Sequence, residues 1–179
     1  MKAFAILLLA ALATASPAPA AKSKPTVYLI RHGEKPADPK ANGLSDQGKK
    51  RAQCLRTVFG AKSQYNIGYL MAETPSANGE HTRPRDTILP LAGDLGLNID
   101  VSCGGKDPEC VKKAVHKFEG PGNILICWKH TQLNNIAEAL GAKKVDQWSD
   151  SVYDLIWTDP SPYSKIVDIT SEECPGLDV

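Results

Sequence analysis

Short apolar runs alternate with segments of helical periodicity, and this alternation constrains the fold of the chain more than any other feature. Four apolar runs are short enough to be buried strands: 26–31, 67–72, 97–101 and 124–128. Apolar spacing and end signals predict four helices: 44–58, 83–95, 109–118 and 133–140. Because strands that alternate with helices build layered α/β domains, we expect a three-layer αβα sandwich on a mostly parallel sheet.

The last part of the chain has a different pattern. Residues 152–157 and 165–169 are runs rich in β-branched and aromatic residues, and the segment 158–162 between them contains two prolines and an aspartate. This arrangement predicts an antiparallel C-terminal hairpin. The sheet is therefore expected to be mixed rather than purely parallel.

The first residues have the pattern of an export signal. Met1 and Lys2 form a small positive region, residues 3–12 are apolar, and small residues suited to cleavage follow up to Ala20. The apolar segment is too short to span a membrane. We therefore predict a signal peptide over residues 1–20 and a single exported domain over 21–179, with no membrane contact after cleavage.

Charge and cysteine content narrow the partners and the compartment. The formal net charge is +1, so neither a nucleic acid nor a membrane surface is indicated as a partner, and the sequence specifies no oligomeric state. Export permits disulfides, and Cys103 and Cys110 flank a turn-rich segment suited to a local bridge. Cys127 lies in a buried apolar run and is expected to be a free thiol. Cys54 and Cys174 could pair, although the sequence does not fix the connectivity.

Two histidines follow predicted strands, and an arginine-rich segment opens a predicted helix. Arg31-His32-Gly33-Glu34 ends the first strand, His130 follows the run 124–128, and Arg83 lies near the start of a helix. Open α/β sheets bind ligands at the carboxyl ends of their strands. A guanidinium binds phosphate bidentately, an imidazole is nucleophilic near neutral pH, and a helix N-terminus favours an anion. These residues therefore predict a phosphate pocket.

The same motifs, in this order, resemble a known family. Arg31-His32-Gly33 is similar to the family's Arg-His-Gly signature, and residues 44–52 (Leu-Ser-x-x-Gly-x-x-Arg-Ala) to its first helix. Arg83 with Thr87 is similar to its second-arginine motif, and His130 after a hydrophobic strand to its second histidine. Over nearly the whole mature chain, the set resembles the histidine phosphatase superfamily, the phosphoglycerate-mutase-like proteins.

The resemblance implies a phosphoglycerate-mutase-like fold and a secreted phosphatase that hydrolyses phosphomonoesters without a metal or other cofactor. His32 is then expected to attack phosphorus and form a phosphohistidine. Arg31, Arg83 and His130 are expected to surround the phosphate oxygens and stabilise their charge. The implied partner is a small phosphorylated substrate or inorganic phosphate.

The general acid that most members of the family supply has no clear counterpart in this chain. Residue 129, beside the second histidine, is a lysine. The acidic residues on predicted loops or near the cysteine segment are Asp38, Glu73, Glu80, Asp107 and Glu109. A protein that binds phosphate or a phosphoester without turnover is therefore an alternative. A phosphomutase is a third, which export disfavours because glycolytic substrates are intracellular.

The other polar and aromatic residues receive simpler interpretations. Residues 49–51 (Lys-Lys-Arg) are expected to be solvated on a helix surface. Trp148, Tyr153 and Trp157 are expected to pack the C-terminal hairpin onto the sheet. Glu34 could orient a catalytic histidine or act as a structural carboxylate of the turn, and the sequence favours neither.

Overall fold

The computed structural model describes residues 24–38 and 40–177, and the signal peptide predicted over residues 1–20 lies outside them. The strands are β1 (Val27–Arg31), β2 (Ile67–Ala72), β3 (Ile99–Asp100), β4 (Asn123–Trp128), β5 (Leu155–Asp159) and β6 (Asp168–Ser171). The helices are α1 (Asp46–Val58), α2 (Arg83–Leu95), α3 (Pro108–Lys117) and α4 (His130–Leu140).

The strands form one sheet in the order β3-β2-β4-β1-β5-β6. The first four strands in this order are mutually parallel. Strand β5 runs antiparallel to β1, and β6 runs antiparallel to β5. The predicted mixed, mostly parallel sheet with a C-terminal antiparallel hairpin is therefore confirmed.

Helices cover both faces of the sheet, which gives the predicted αβα sandwich. One face packs against α1 and α2 through buried side chains that include Leu55, Ile88 and Leu91. The other face packs against α3 and α4 through buried side chains that include Val111, Leu133 and Ile136. Alternate residues of the central strands point to the two sides, so each of those strands contributes to both cores.

The largest differences between the predicted and the observed elements concern α4, β3 and the two hairpin strands. Helix α4 begins at His130, three residues earlier than expected, because the single residue Lys129 suffices to leave β4. Strand β3 has only two residues instead of five. The hairpin strands lie two to three residues later than predicted, over β5 and β6. The predicted start of the first hairpin strand, at residue 152, was wrong. The carbonyl oxygens of the segment before β5 accept hydrogen bonds from Arg31 instead of from a neighbouring strand.

Two disulfides join segments of the described chain. The local bridge Cys103–Cys110 is present as predicted, and Cys54 of α1 is bonded to Cys174 near the C-terminus. Cys127 is the free cysteine of the described residues, and it is buried in β4. Among residues 24–38 and 40–177, no helix has the length and apolar character needed to cross a membrane.

Two glycines allow the turn after β1 to touch the start of α1. A Cβ on Gly33 would lie 2.9 Å from the carbonyl oxygen of Gly48, and a Cβ on Gly48 would lie 2.6 Å from the carbonyl oxygen of Glu34. The side chain of Ser45 caps α1 by accepting a hydrogen bond from the backbone N–H of Gly48. The N-terminal turn of α1 is therefore packed directly against the segment that carries His32.

We predict that Gly48→Ala destabilises the protein by about 1–3 kcal/mol, because the added methyl group meets backbone atoms that cannot move independently. The matched control is Gly93→Ala in α2, where nothing lies within 4 Å of the new Cβ. This exposed helical position should gain about 0.5–1 kcal/mol. Urea unfolding of the two variants measures both effects, and shifts of the same sign would contradict the close contact.

Candidate active site

The predicted site residues lie where adjacent parallel strands end. In the register of β1 and β4, Arg31 lies opposite Trp128, and the backbone N–H of His32 donates to the Trp128 carbonyl oxygen over 3.0 Å. His130 follows after one further residue as the first residue of α4. Arg83 is the first residue of α2. The expectation that these residues share the carboxyl edge of the sheet therefore agrees with the structure.

A hydrogen bond within the turn determines which nitrogen of His32 is available. Its Nδ1 lies 2.7 Å from the carbonyl oxygen of Gly33. A carbonyl oxygen only accepts hydrogen bonds, so Nδ1 must carry the proton of the neutral ring. The lone pair is then on Nε2. His32 is only 3% exposed, and its ring is therefore held in one orientation with one defined nucleophilic atom.

The surroundings of His32 keep its ring neutral. Burial is the largest cause that lowers its pKa to about 3, and the positive charges of Arg31, Arg83 and Lys35 lower it further. The hydrogen bond to Gly33 acts in the opposite direction. An uncharged imidazole surrounded by cations is suited to meet an anionic phosphate, because the cations attract the anion and the imidazole can attack it.

Arg31 uses one side of its guanidinium to hold the loop before β5. Its Nη1 donates to the carbonyl oxygens of Ser149 (3.2 Å), Asp150 (2.8 Å) and Val152 (2.8 Å). The ring of Tyr153 lies 3.6 Å from the guanidinium carbon, so Tyr153 packs on Arg31 instead of packing the hairpin onto the sheet as predicted. Trp148 and Trp157, which the same prediction covered, do pack against each other in the core.

The Nε atom of Arg31 takes no part in these bonds to the loop before β5. Its Nε is buried and has no hydrogen-bond partner among the residues that the structure describes. A buried N–H without a partner costs about 1–3 kcal/mol, and a bound oxyanion would remove that cost. Arg31 is 1% exposed, and burial lowers its pKa from the usual value, which the charge of Asp150 partly offsets.

His130 contacts a carboxylate that the sequence did not single out. Its Nε2 lies 2.5 Å from Oδ1 of Asp150, whose side chain is 91% exposed. Burial and the charge of Arg31 lower the pKa of His130, whereas Asp150 raises it. We expect Nε2 to carry the proton and donate it to the carboxylate. Asp150 therefore places an exposed carboxylate on the second histidine.

The start of α2 is bonded to the turn that carries His32. The backbone N–H of Gly33 donates to Oγ1 of Thr87 over 2.8 Å, and that hydroxyl donates to the Arg83 carbonyl oxygen over 2.7 Å. This explains the four-residue spacing of Arg83 and Thr87. Neither α2 nor α4 has a side-chain cap at its N-terminus. Their first backbone N–H groups therefore favour an anion beside Arg83 and His130.

Arg51 supports the turn after β1, and the expectation that this residue is solvated was wrong. The residue is 0% exposed, and its guanidinium bonds Oε1 of Glu34 at 2.7 Å and Oε2 of Glu172 at 2.6 Å. Burial raises the pKa of Glu172 to about 8, although Arg51 acts against this shift. One buried cation thus faces two carboxyl groups. Glu34 is a structural carboxylate of the turn, which resolves the two roles that the sequence left open.

The structure places the other acidic candidates in different contacts. Glu73 is 3% exposed and accepts a hydrogen bond from Nζ of Lys129 over 2.7 Å. Gly105 packs tightly over this ion pair, since an added Cβ would lie 1.9 Å from Oε1 of Glu73. Asp107 caps α3. Asp38 accepts a hydrogen bond within its own loop, Glu109 pairs with a lysine along α3, and Glu80 is exposed.

Three residues that contribute to the site were not predicted as site residues from the sequence. Lys35 stands only two residues after Arg31-His32-Gly33, a proximity that was a usable signal. Asp150 lies in a polar segment and Tyr153 in a run predicted to be a strand, and both are more than 100 positions from Arg31 and His32, which they contact. Arg85, which the motif spacing disfavoured, is bonded to Asp86. Across residues 24–38 and 40–177, no group of three or more His, Cys, Asp or Glu side chains could hold a metal ion.

Comparisons with known proteins give matches to solved structures. No protein-family model and no curated protein sequence matches the chain. The putative phosphohistidine phosphatase SixA from Agrobacterium tumefaciens matches with a TM-score of 0.57 and 14% identity, over 83% of this chain and 98% of that one. The protein histidine phosphatase SixA complexed with tungstate matches with a TM-score of 0.58 and 16% identity, over 82% of this chain and 97% of that one. These likenesses establish the fold.

We predict that the His32 ring stays neutral throughout the range from pH 8 to pH 4.5, because its pKa is about 3. Long-range ¹H–¹⁵N correlation spectra of the ring should show a protonated Nδ1 and an unprotonated Nε2 over this range. A change of the Nε2 shift to that of an imidazolium above pH 5 would contradict the electrostatic description of the pocket.

We predict that Arg51→Met lowers the free energy of unfolding by about 3–5 kcal/mol near neutral pH, because it leaves the carboxyl groups of Glu34 and Glu172 buried without a cation. The matched control is Arg56→Met on the same helix. Arg56 pairs with Asp94 in an exposed ion pair, so its loss should change stability little. Chemical denaturation compares the two variants, and similar losses would refute the role of Arg51.

Proposed function

We propose that this chain, which has the fold of the histidine phosphatases, hydrolyses phosphomonoesters through a phosphohistidine on His32. The observation that carries the proposal is the state of that histidine. Its Nδ1 donates to a carbonyl oxygen, its Nε2 is left with a lone pair, and cationic side chains surround it. A buried nucleophile in a cationic pocket is what phosphoryl transfer requires.

The first chemical step follows from the positions of the side chains. Nε2 of His32 attacks phosphorus in line, the N–P bond forms, and the bond to the leaving oxygen breaks. The developing charge on the equatorial oxygens is met by Arg31, Arg83 and the Nε2–H of His130. The N–H of Arg31 that lacks a partner is one donor for these oxygens.

The second step releases phosphate. Water attacks the phosphohistidine, the P–N bond breaks, and its electron pair returns to Nε2 of His32. The ring is ready for another cycle because it remains neutral. In this reaction the guanidinium groups supply the positive charge, so the proposed mechanism is independent of metal ions. A related observation is that one of the proteins with this fold is complexed with tungstate, a tetrahedral oxyanion like phosphate.

We also propose that the protein acts outside the cell, after removal of residues 1–20. The two disulfides, Cys54–Cys174 and Cys103–Cys110, support this location because such bonds form and persist in oxidising compartments. The proposed substrates are small phosphomonoesters. The side chain of Asp150 at the mouth is 91% exposed, which leaves the leaving-group side open to solvent and favours modest selectivity.

We predict that the purified mature protein hydrolyses p-nitrophenyl phosphate in the presence of EDTA, and that His32→Ala lowers kcat by at least roughly 10³-fold because the nucleophile is lost. Rapid alkaline quenching with ³²P-labelled substrate should trap the label on the peptide that contains His32. A matched control is His116→Ala, which removes an exposed histidine of α3 and should leave turnover and labelling unchanged.

Other outcomes would contradict this proposal in distinct ways. Steady turnover without any acid-labile label would exclude His32 as the nucleophile. Binding of inorganic phosphate by calorimetry, with no turnover of any phosphate ester between pH 4 and pH 8, would favour the alternative of a phosphate-binding protein. Transfer of the label to an added alcohol instead of water would indicate a phosphomutase.

A further inference from the structure

We infer that Asp150 is the general acid that protonates the leaving oxygen, a role that rests on the phosphatase function proposed above. Asp150 contacts His130, the second histidine of the site. Oδ1 of Asp150 lies 2.5 Å from Nε2 of His130, the atom expected to hold an equatorial phosphate oxygen. A carboxyl group that reaches this atom lies beside the position proposed for the phosphate, close enough to be considered as its proton donor.

The position of Asp150 suits the leaving-group side of the pocket. In an in-line displacement the leaving oxygen lies opposite the attacking Nε2 of His32. His32 is buried at 3% exposure, whereas the Asp150 side chain is 91% exposed. The nucleophile is therefore at the bottom of the pocket and the carboxyl group at its mouth, where the rest of the substrate must leave.

The backbone of Asp150 is held in place although its side chain is exposed. Arg31 donates to the carbonyl oxygens of Ser149, Asp150 and Val152, and the Trp148 indole N–H donates to Val152 as well. The Arg31 side chain is thus bonded to the segment that carries Asp150, while its Nε has no hydrogen-bond partner among the described residues. Binding of phosphate to Arg31 and positioning of the acid are consequently linked through one guanidinium.

Two other carboxyl groups near the turn and strand ends are engaged elsewhere. Glu34 accepts from the buried guanidinium of Arg51. Glu73 is paired with Lys129 under the backbone of Gly105. Asp150 instead contacts a pocket histidine, and its charge acts on Arg31 and Lys35 as well. Its carboxylate therefore interacts with the histidine and with two of the cations of the site.

The proton balance closes over one cycle. An arriving phosphomonoester monoanion takes over the Nε2–H of His130 and passes its own proton to the neighbouring Asp150 carboxylate. As the N–P bond to His32 forms and the P–O bond breaks, the carboxyl proton passes to the leaving oxygen. The carboxylate then accepts a proton from the water that attacks the phosphohistidine, which restores the acid.

The test is the dependence of Asp150→Asn on the leaving group. For an alkyl phosphate such as glycerol 3-phosphate, kcat/KM should fall roughly 10²–10⁴-fold, because an alkoxide leaves poorly without a proton. For p-nitrophenyl phosphate the fall in kcat/KM, which reports only the formation of the phosphohistidine, should be less than about threefold, because nitrophenolate needs no acid. A decline of the wild-type alkyl rate at alkaline pH should disappear in the variant.

Asp146→Asn is the matched control, since Asp146 is exposed on the same segment and should leave both rates unchanged. Equal losses with both substrates, or an unchanged alkyl rate, would overturn the inference. Faster turnover of both substrates with tighter phosphate inhibition would overturn it too, because Asp150 would then be an internal competitor of phosphate. A wild-type protein without turnover or phosphohistidine refutes the phosphatase function itself, which separates the two failures.

Discussion

The position of His32, the proposed nucleophile, depends on the buried guanidinium of Arg51. This one cation bonds Glu34 in the turn after β1 and Glu172 near the C-terminus, so it connects three segments that are distant in sequence. The disulfide Cys54–Cys174 joins α1 to the same C-terminal segment covalently. Buried ion pairs contribute little net stability, but the loss of one partner is costly, and this asymmetry fixes the arrangement. Phosphoryl transfer is mostly a matter of positioning, so a rigid support under the turn has a direct chemical value.

The layers of the fold and the edge that carries the site are predictable from the sequence because they depend on local patterns. The run 124–128 is apolar throughout, as a strand covered on both faces must be, and β1 has the same character. Parallel neighbours end at one edge of a sheet, so His32 and His130 had to be close. Thr87 shows why the four-residue spacing was informative, since its hydroxyl links the turn to the start of α2.

The remaining features depend on contacts between distant residues, which local patterns do not contain. Arg51 stands in a charged stretch that is typical of a helix surface, and its partner Glu172 is 121 positions away. The hairpin begins later than predicted for the same kind of reason. Arg31 bonds carbonyl oxygens 118 to 121 positions away, among them that of Val152, the first residue of the predicted strand, and the observed strand begins only after this contact. Asp150 became recognisable as a site residue only through its contact with His130.

In the proposed mechanism, the division of Arg31 between protein and anion links phosphate binding to the chemical step. Nη1 is committed to the loop that carries Asp150, whereas the buried Nε has no partner within the described part of the chain. A phosphate that satisfies Nε therefore binds to the same rigid group that positions the carboxyl at the mouth. His32 adds no charge to this arrangement because its ring is neutral, so the cations act on the substrate without repelling an imidazolium. A protonated His32 would lose the lone pair on Nε2, and burial together with the charge of Arg31 disfavours that state.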